Sequence, residues 1–347
     1  YSKSLGMLLV FVFISLAITG CNLTGNDPKE AQNDYITKTV SNIEELDEVL
    51  SNLKEDDKSI ITLEGSFDNS IEINDSNQFS EVILKANKKH KTTISSEVKK
   101  KKTANVVLKN FVIEKSKNNG IVIDKSKNIT IENNIIQNND YFGILAMNNS
   151  SVTIENNEVN NNGLKEGFPG IKIENESNAK IINDNQIENN KGNGITVKNS
   201  NIEIRENNIL NNGSRGISVY DNSVANIENN EIRDHTNNAG QGIGFDNSDV
   251  DIIENKISDN TIGLGYSGID PANYEEDKIK ANNFENNENQ VGHYINSSER
   301  PKMLEIIYDK NEYTPEISKS DITSFEYTDE EGNKYTFWYI PSSTESK

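Results

Sequence analysis

Arg215, Tyr220, His235 and Lys198 are the side chains in this sequence best suited to moving a proton. Groups of these types act as acid or base once their surroundings adjust the pKa. The mixture would suit removal of a carbon-bound proton beside a carboxylate, a reaction that also needs that carboxylate neutralised. Arg and Lys can neutralise it directly. Calcium can do so through hard oxygen ligands, for which Glu174 and Asp246 are the candidates. Lys172, Tyr141 and Gln241 are expected to contact substrate. Glycoside hydrolysis would instead need two carboxylates at a defined separation. Glu174, Asp221 and Asp246 are available for that, but no motif marks them. The plainer alternative is a solvated charged face, with His235 an ordinary loop residue.

Such residues need elements to position them, and composition narrows the choice. The chain has 347 residues, with 35 Lys and Arg against 55 Asp and Glu, for a net charge of −20. That acidity argues against nucleic-acid binding, which displaces counterions with a basic surface. One cysteine, Cys21, excludes a disulfide framework and any Cys-based zinc site. Apolar residues make up only 33% of the chain, and 44 of its 56 Asn lie between Asn105 and Gln290. This is either a disordered, low-complexity composition or an architecture.

A repeat decides for architecture. Gly followed by an alternating strand recurs at Gly120, Gly143, Gly170, Gly194, Gly216, Gly242 and Gly263, with a degenerate case at Gly292. A second strand follows in each unit, as at Ile129–Ile131 and Ile202–Ile204. Three residues after its last Ile stands an Asn: Asn134, Asn157, Asn185, Asn207, Asn230, Asn255 and Asn282. A short third strand begins just beyond, at Ile136, Val159, Ile187, Ile209, Ile232, Ile257 and Phe284. Three short strands cannot bury their own inward residues, whereas stacked units can. The recurring Asn are expected to bond along the axis as a structural ladder. Asn138, Asn139, Asn211 and Asn212, at the next turn, read as solvated turn formers.

This Gly-strand and Asn-turn pattern resembles the right-handed parallel β-helix, or pectate-lyase-like, superfamily over roughly residues 60 to 295. The resemblance implies an all-β solenoid of about ten coils, near 50 Å long at the ~4.8 Å strand spacing. It also implies a ligand groove along the first-strand sheet and its flanking loops. Those positions include Lys172, Glu174, Lys198, Ser218, Tyr220 and Asp246, with Tyr141, Phe168, Arg215, His235 and Gln241 in the loops. Tyr266-Ser-Gly-Ile-Asp270-Pro271 is faintly similar to the Tyr-Gly-X-Asp-Pro-His motif of alginate C5-epimerases. Ala272 replaces the His, so a turn is the better reading.

The ends read differently. Residues 1–20 have the pattern of a secretory signal, with Lys3 before an apolar run from Leu5 to Ile18. The start of that signal is expected to lie before Tyr1. Ile18-Thr19-Gly20-Cys21 resembles the lipobox of bacterial lipoproteins, which implies a lipid on Cys21 and a membrane anchor. Residues 21–38 read as a flexible tether, and 39–295 as the β-helix with a capping helix that begins near Asn42. Lys99 to Lys102 reads as a solvated basic loop. Residues 296–347 read as a C-terminal β cap, with strands at Ile306–Tyr308, Ser324–Tyr327 and Tyr335–Ile340 and a hairpin turn at 330–333.

The function expected from these readings is engagement of an extracellular acidic polysaccharide, as a lyase or epimerase, by a monomeric lipoprotein outside the cytoplasm. A non-catalytic surface or structural rod is the first alternative. A periplasmic accessory protein, similar to those that assist copper-site maturation of nitrous oxide reductase, is the second. Three scattered His and three Met count against a soft-metal role.

Overall fold

The computed structural model describes residues 35–342 apart from 75–76, 78, 88–92, 95–96, 102–103, 238–239, 269–276, 296–300 and 329–333. Cys21, the signal and most of the tether therefore lie outside the described residues, as do Lys102, the 330–333 turn and Asp270–Ala272.

The chain winds into a right-handed parallel β-helix of about ten turns, the hand favoured by parallel crossovers. Successive strands fall into three sheets. Sheet 1 holds the strands that follow each Gly, sheet 2 the second strands and sheet 3 the short third strands. Register is strict. In sheet 1, Ile121, Ile144, Ile171, Ile195, Ile217, Ile243, Leu264 and Val291 stack in one column. In sheet 2, Ile131, Ile154, Ile181, Ile204, Ile227, Ile252 and Ile279 do the same. All of these are fully buried. The core is thus a narrow set of apolar columns, which is why 33% apolar residues suffice.

The turns contain the polar interior. Asn134 begins a ladder that runs through Asn157, Asn185, Asn207, Asn230, Asn255 and Asn282. Each side-chain amide donates to the next Asn Oδ1 and to a strand carbonyl one coil back, as Asn207 does to Ile181 at 2.8 Å. Left-handed backbone falls on the residue just before the rung, for example Asn133, Asn156, Glu206 and Asn229. The bonding role and the left-handed backbone therefore fall on neighbouring residues.

A second ladder stands at the next turn: Asn139, Asn162, Asn190, Asn212, His235, Asn260 and Asn287. Asn139 and Asn212 are fully buried in it, which corrects their reading as solvated turn formers. Asn138 and Asn211 are the left-handed residues before them. A third column, of serines, closes the turn between sheets 1 and 2. There the backbone N–H groups of Ser126, Ser150, Ser177, Ser200 and Ser223 each donate to the next serine Oγ.

The ends differ from expectation in four places. Tyr35–Val40, partly inside the expected tether, is a strand paired in parallel with Lys58–Leu63. Between them lies the expected capping helix α1 (Ile43–Asn52), with Asn42 accepting from Glu45 N–H and with Leu46 and Leu50 buried. Val98–Lys101 is a strand of sheet 1 between Ile71–Ile73 and Ile121–Asp124, not a loop. Ile306–Tyr308 lies in helix α2 (Lys302–Lys310), which buries Met303, Leu304 and Ile307. That spacing of apolar residues is helical. The coil also continues past 295. Asn311 extends the first ladder, and Glu312–Thr314 pairs with Asn283–Glu285. The expected hairpin strands are present at Thr323–Thr328 and Lys334–Pro341, the latter antiparallel to Asn289–Ile295. Among the described residues no helix is long and apolar enough to cross a membrane.

The ladder makes a prediction about stability. Asn207→Ala removes the amide's bonds to Ile181, Arg205 and Asn230 and takes away the Oδ1 that accepts from the Asn185 backbone N–H and side-chain amide. Its cost is expected to be about 3 kcal/mol, since unsatisfied buried groups each cost 1–3. Asn208→Ala, one residue on, should cost less than about 0.5 kcal/mol. Denaturant unfolding followed by circular dichroism separates the two.

Candidate functional site

The outer face of sheet 1 carries two axial rows. In the first, Lys172 pairs with Thr196, Thr196 with Ser218, Ser218 with Gly244, and Gly244 with Gly265. Side chains shrink along this row, and the space is taken by residues that fold over from the preceding loops. A Cβ on Gly244 would stand 2.2 Å from Gln241 Oε1 and 2.9 Å from Arg215 Cδ, and one on Gly265 would stand 2.7 Å from the Gln241 amide. The Arg215 guanidinium also donates to Ser218 Oγ at 3.2 Å. In the second row Glu174 pairs with Lys198 and Lys198 with Tyr220. Lys198 Nζ lies 5.7 Å from the Tyr220 ring centroid and 3.4 Å from Asp221 Oδ2.

At the edge of this face the long loop of residues 163–169 builds an aromatic group. Phe168 meets Tyr141 at 5.0 Å and Phe142 at 4.8 Å between centroids. Glycines let the loops nest that closely. Gly163 has φ +75, and a Cβ on Gly192 would stand 2.0 Å from the Gly167 carbonyl oxygen. Two ammonium groups flank the rings. Lys165 lies 5.9 Å from Tyr141 and pairs with Asp140 at 3.1 Å. Lys172 lies 5.4 Å from Phe142 and pairs with Glu174 at 2.8 Å. The three rings are half-buried, and each cation already has a carboxylate partner that a ligand would have to displace.

The structure therefore brings Arg215, Tyr220, Lys198, Lys172 and Gln241 onto one face, with Tyr141 at its edge. It does not bring His235 there. His235 is fully buried as a rung of the second ladder. Its Nε2 accepts from the Asn212 amide at 3.3 Å and its Nδ1–H donates to Asn260 Oδ1 at 2.9 Å. This tautomer follows from the partners: the neutral ring copies the donor and acceptor of the amide it replaces. The sequence held the signal. His235 stands three residues after Ile232, just as Asn139 stands after Ile136. Phe142, which residue-type reasoning passed over, is part of the aromatic group.

The expected calcium pair also separates. Asp246 lies one strand beyond Tyr220, three strands from Glu174, or about 14 Å at the ~4.8 Å spacing. Calcium oxygens sit ~2.4 Å from the ion, so the two cannot share one. The same separation exceeds the ~6.5–9.5 Å of an inverting carboxylate pair. Glu174 is held by Lys172, and Asp246 accepts from Ser267 Oγ at 2.9 Å.

Comparison with known families gives two matches. The family described as a right-handed beta helix region matches residues 59–209, and that described as periplasmic copper-binding protein (NosD) matches residues 161–338. No curated protein sequence matches the chain. Among solved structures, the A-module of mannuronan C-5 epimerase AlgE4 from Azotobacter vinelandii is 16% identical. That likeness covers 74% of this chain and 86% of that one, at a TM-score of 0.46. The pectate lyase Pel9A is 13% identical over 83% of each chain, at a TM-score of 0.43.

The copper in the second description can be tested on this chain's donors. Among the described residues no three His, Cys, Asp or Glu stand together. The soft donors there are His235, His293, Met147 and Met303. His235 spends both ring nitrogens on the ladder, while His293 and Met303 are buried. The described residues do not fit a copper site.

The His235 rung predicts acid sensitivity. Burial lowers its pKa from 6.5 to about 4, against the raising effects of Asn260 and Asp234. The unfolded chain therefore takes up this proton first as pH falls. The stability of the neutral rung is fully present above pH ~6.5 and is lost between there and about 4, with a total near 3 kcal/mol. His235→Asn is expected to reduce the slope of that part of a stability–pH curve measured by denaturant unfolding, leaving the share of buried His293, whose pKa burial also lowers to about 4. An unchanged slope would exclude the rung as its source.

Proposed function

The chain belongs to the NosD family, and we propose that it works outside the cytoplasm by holding an acidic glycan along the outer face of sheet 1 without cleaving it. The observation that carries this reading is the aromatic group of Tyr141, Phe142 and Phe168 with Lys165 and Lys172 beside it. An aromatic face takes the C–H face of a sugar, and an adjacent ammonium takes a uronate carboxylate. Lys198, Tyr220, Arg215 and Gln241 continue the same face along the axis, which suits a linear polymer. The family description, periplasmic, and the secretory pattern of residues 1–20 support an extracytoplasmic setting, with lipid on Cys21 as the anchor.

Cleavage by β-elimination would need a free base near the C5 proton. His235 is inside the ladder, and Lys172 and Lys198 each have a carboxylate partner. Catalysis would rest on Tyr220, and the test includes it. The cations stand in a protein of net charge −20, so their local attraction works against a long-range repulsion, and salt screens both.

Affinity electrophoresis through polygalacturonate and alginate is expected to retard the full chain at low salt. Phe168→Ala and Lys172→Ala should each weaken the retardation about tenfold, equivalent to ~1.4 kcal/mol. Absence of retardation on both polymers overturns the reading. Unsaturated product detected in the ultraviolet, and lost in Tyr220→Phe, would replace binding with lyase chemistry.

The family match favours a second reading, a periplasmic accessory protein that handles copper. Copper(I) would then raise the melting temperature of the full chain. Because the described donors do not converge, no shift is expected.

A further inference from the structure

Sheet 2 carries a second concave surface that the sheet 1 reading leaves unused. A trough of about 550 Å³ runs along its outer face, lined by Asn128, Thr130, Thr153, Asn178, Asn201 and Val224, among others. That volume is within the ~300–1,000 Å³ range of ligand sites. Its lining is built in rows. Thr130 pairs with Thr153, then come Lys180, Glu203 and Asn226. Beside this row run Ser151, Asn178, Asn201 and Val224. Four steps at the ~4.8 Å spacing make about 19 Å, so the trough is linear and repeats once per coil.

Three properties define what fits. The first is charge. Lys180 Nζ lies 2.9 Å from Glu203 Oε2 and Arg205 Nε lies 3.0 Å from its Oε1, and the Lys180 hydrogen bond holds the Glu203 carboxyl below its ordinary pKa. Asp251, at the far end, is paired with Lys278. Asp249 shares Lys278 with Asp251, so these three cations and three carboxylates balance and the trough offers a polyanion no net positive charge, in a chain of net charge −20. The second is the backbone. The sheet 2 strands lining the trough are paired in parallel on both sides, so an extended peptide finds no free edge to join. Only side chains are on offer: the amides and hydroxyls of the Asn, Ser and Thr positions, with the Lys180–Glu203 pair among them. The third is Val224, 49% exposed, which gives apolar contact at one end.

We propose that this trough binds a linear, uncharged glycan, whose hydroxyls bond to the Asn, Ser and Thr rows one coil at a time. The site is separate from the sheet 1 face, and neither reading depends on the other.

Isothermal titration of the full chain with hexasaccharides of β-1,4-linked glucose, mannose and N-acetylglucosamine tests it. At least one is expected to bind. Thr153→Arg should weaken that binding at least tenfold, while the melting curve and the retardation by polygalacturonate stay as in the parent. Asn226→Arg, on an exposed position toward the other end, serves if Thr153→Arg does not fold. Binding of none of the three hexasaccharides, or binding that a folded variant leaves unchanged, overturns the proposal.

Discussion

Buried turn amides are the constraint on which this molecule depends. Each coil must bend its backbone between sheets, and at the bends peptide groups face the interior, away from water. An unmet group there costs more than a bond contributes. Asn solves this because one side chain presents both a donor and an acceptor. Its amide meets a carbonyl of the coil before and the Asn of the coil after, so each rung fixes the next. Two such columns and one of serine run along the rod. They set the register, and the register places every outward residue.

The functional surfaces follow from that register. Lys172, Thr196, Ser218 and Gly244 are distant in sequence but adjacent in one row. Loops that insert residues do so where they cannot disturb the ladders. The loop of 163–169 adds Phe168 to Tyr141 and Phe142, and the loop after His235 ends at Gly240, a Cβ on which would stand 2.3 Å from the His235 carbonyl oxygen. These two insertions both lie at the edge of sheet 1, while a single extra residue stands at Asn183–Asp184 between sheets 2 and 3.

Much of the fold was legible because period and spacing are local properties. The Gly-Ile strands, the first Asn ladder, α1 and the C-terminal hairpin were all readable. Misreadings arose where a local pattern has two packings. Lys99–Lys101 reads as loop by charge, yet its backbone is held between neighbours in sheet 1. Ile306–Tyr308 reads as a strand by composition, but Met303, Leu304 and Ile307 share a helical face that closes the core. His235 reads as a loop histidine until the three-residue spacing after Ile232 is noticed, and that spacing makes it a rung.

Period and spacing are enough to specify the solenoid, its columns and its narrow apolar core, because each of these repeats within one coil. Which side chains share a surface is set by how the coils stack. That stacking puts His235 inside, sets Glu174 and Asp246 about 14 Å apart at the ~4.8 Å strand spacing, gathers Tyr141, Phe142 and Phe168, and opens the trough on sheet 2. The reason is that contact along a solenoid runs between coils, across 21 to 29 residues of chain. Which residue sits above which depends on how every turn in between is closed.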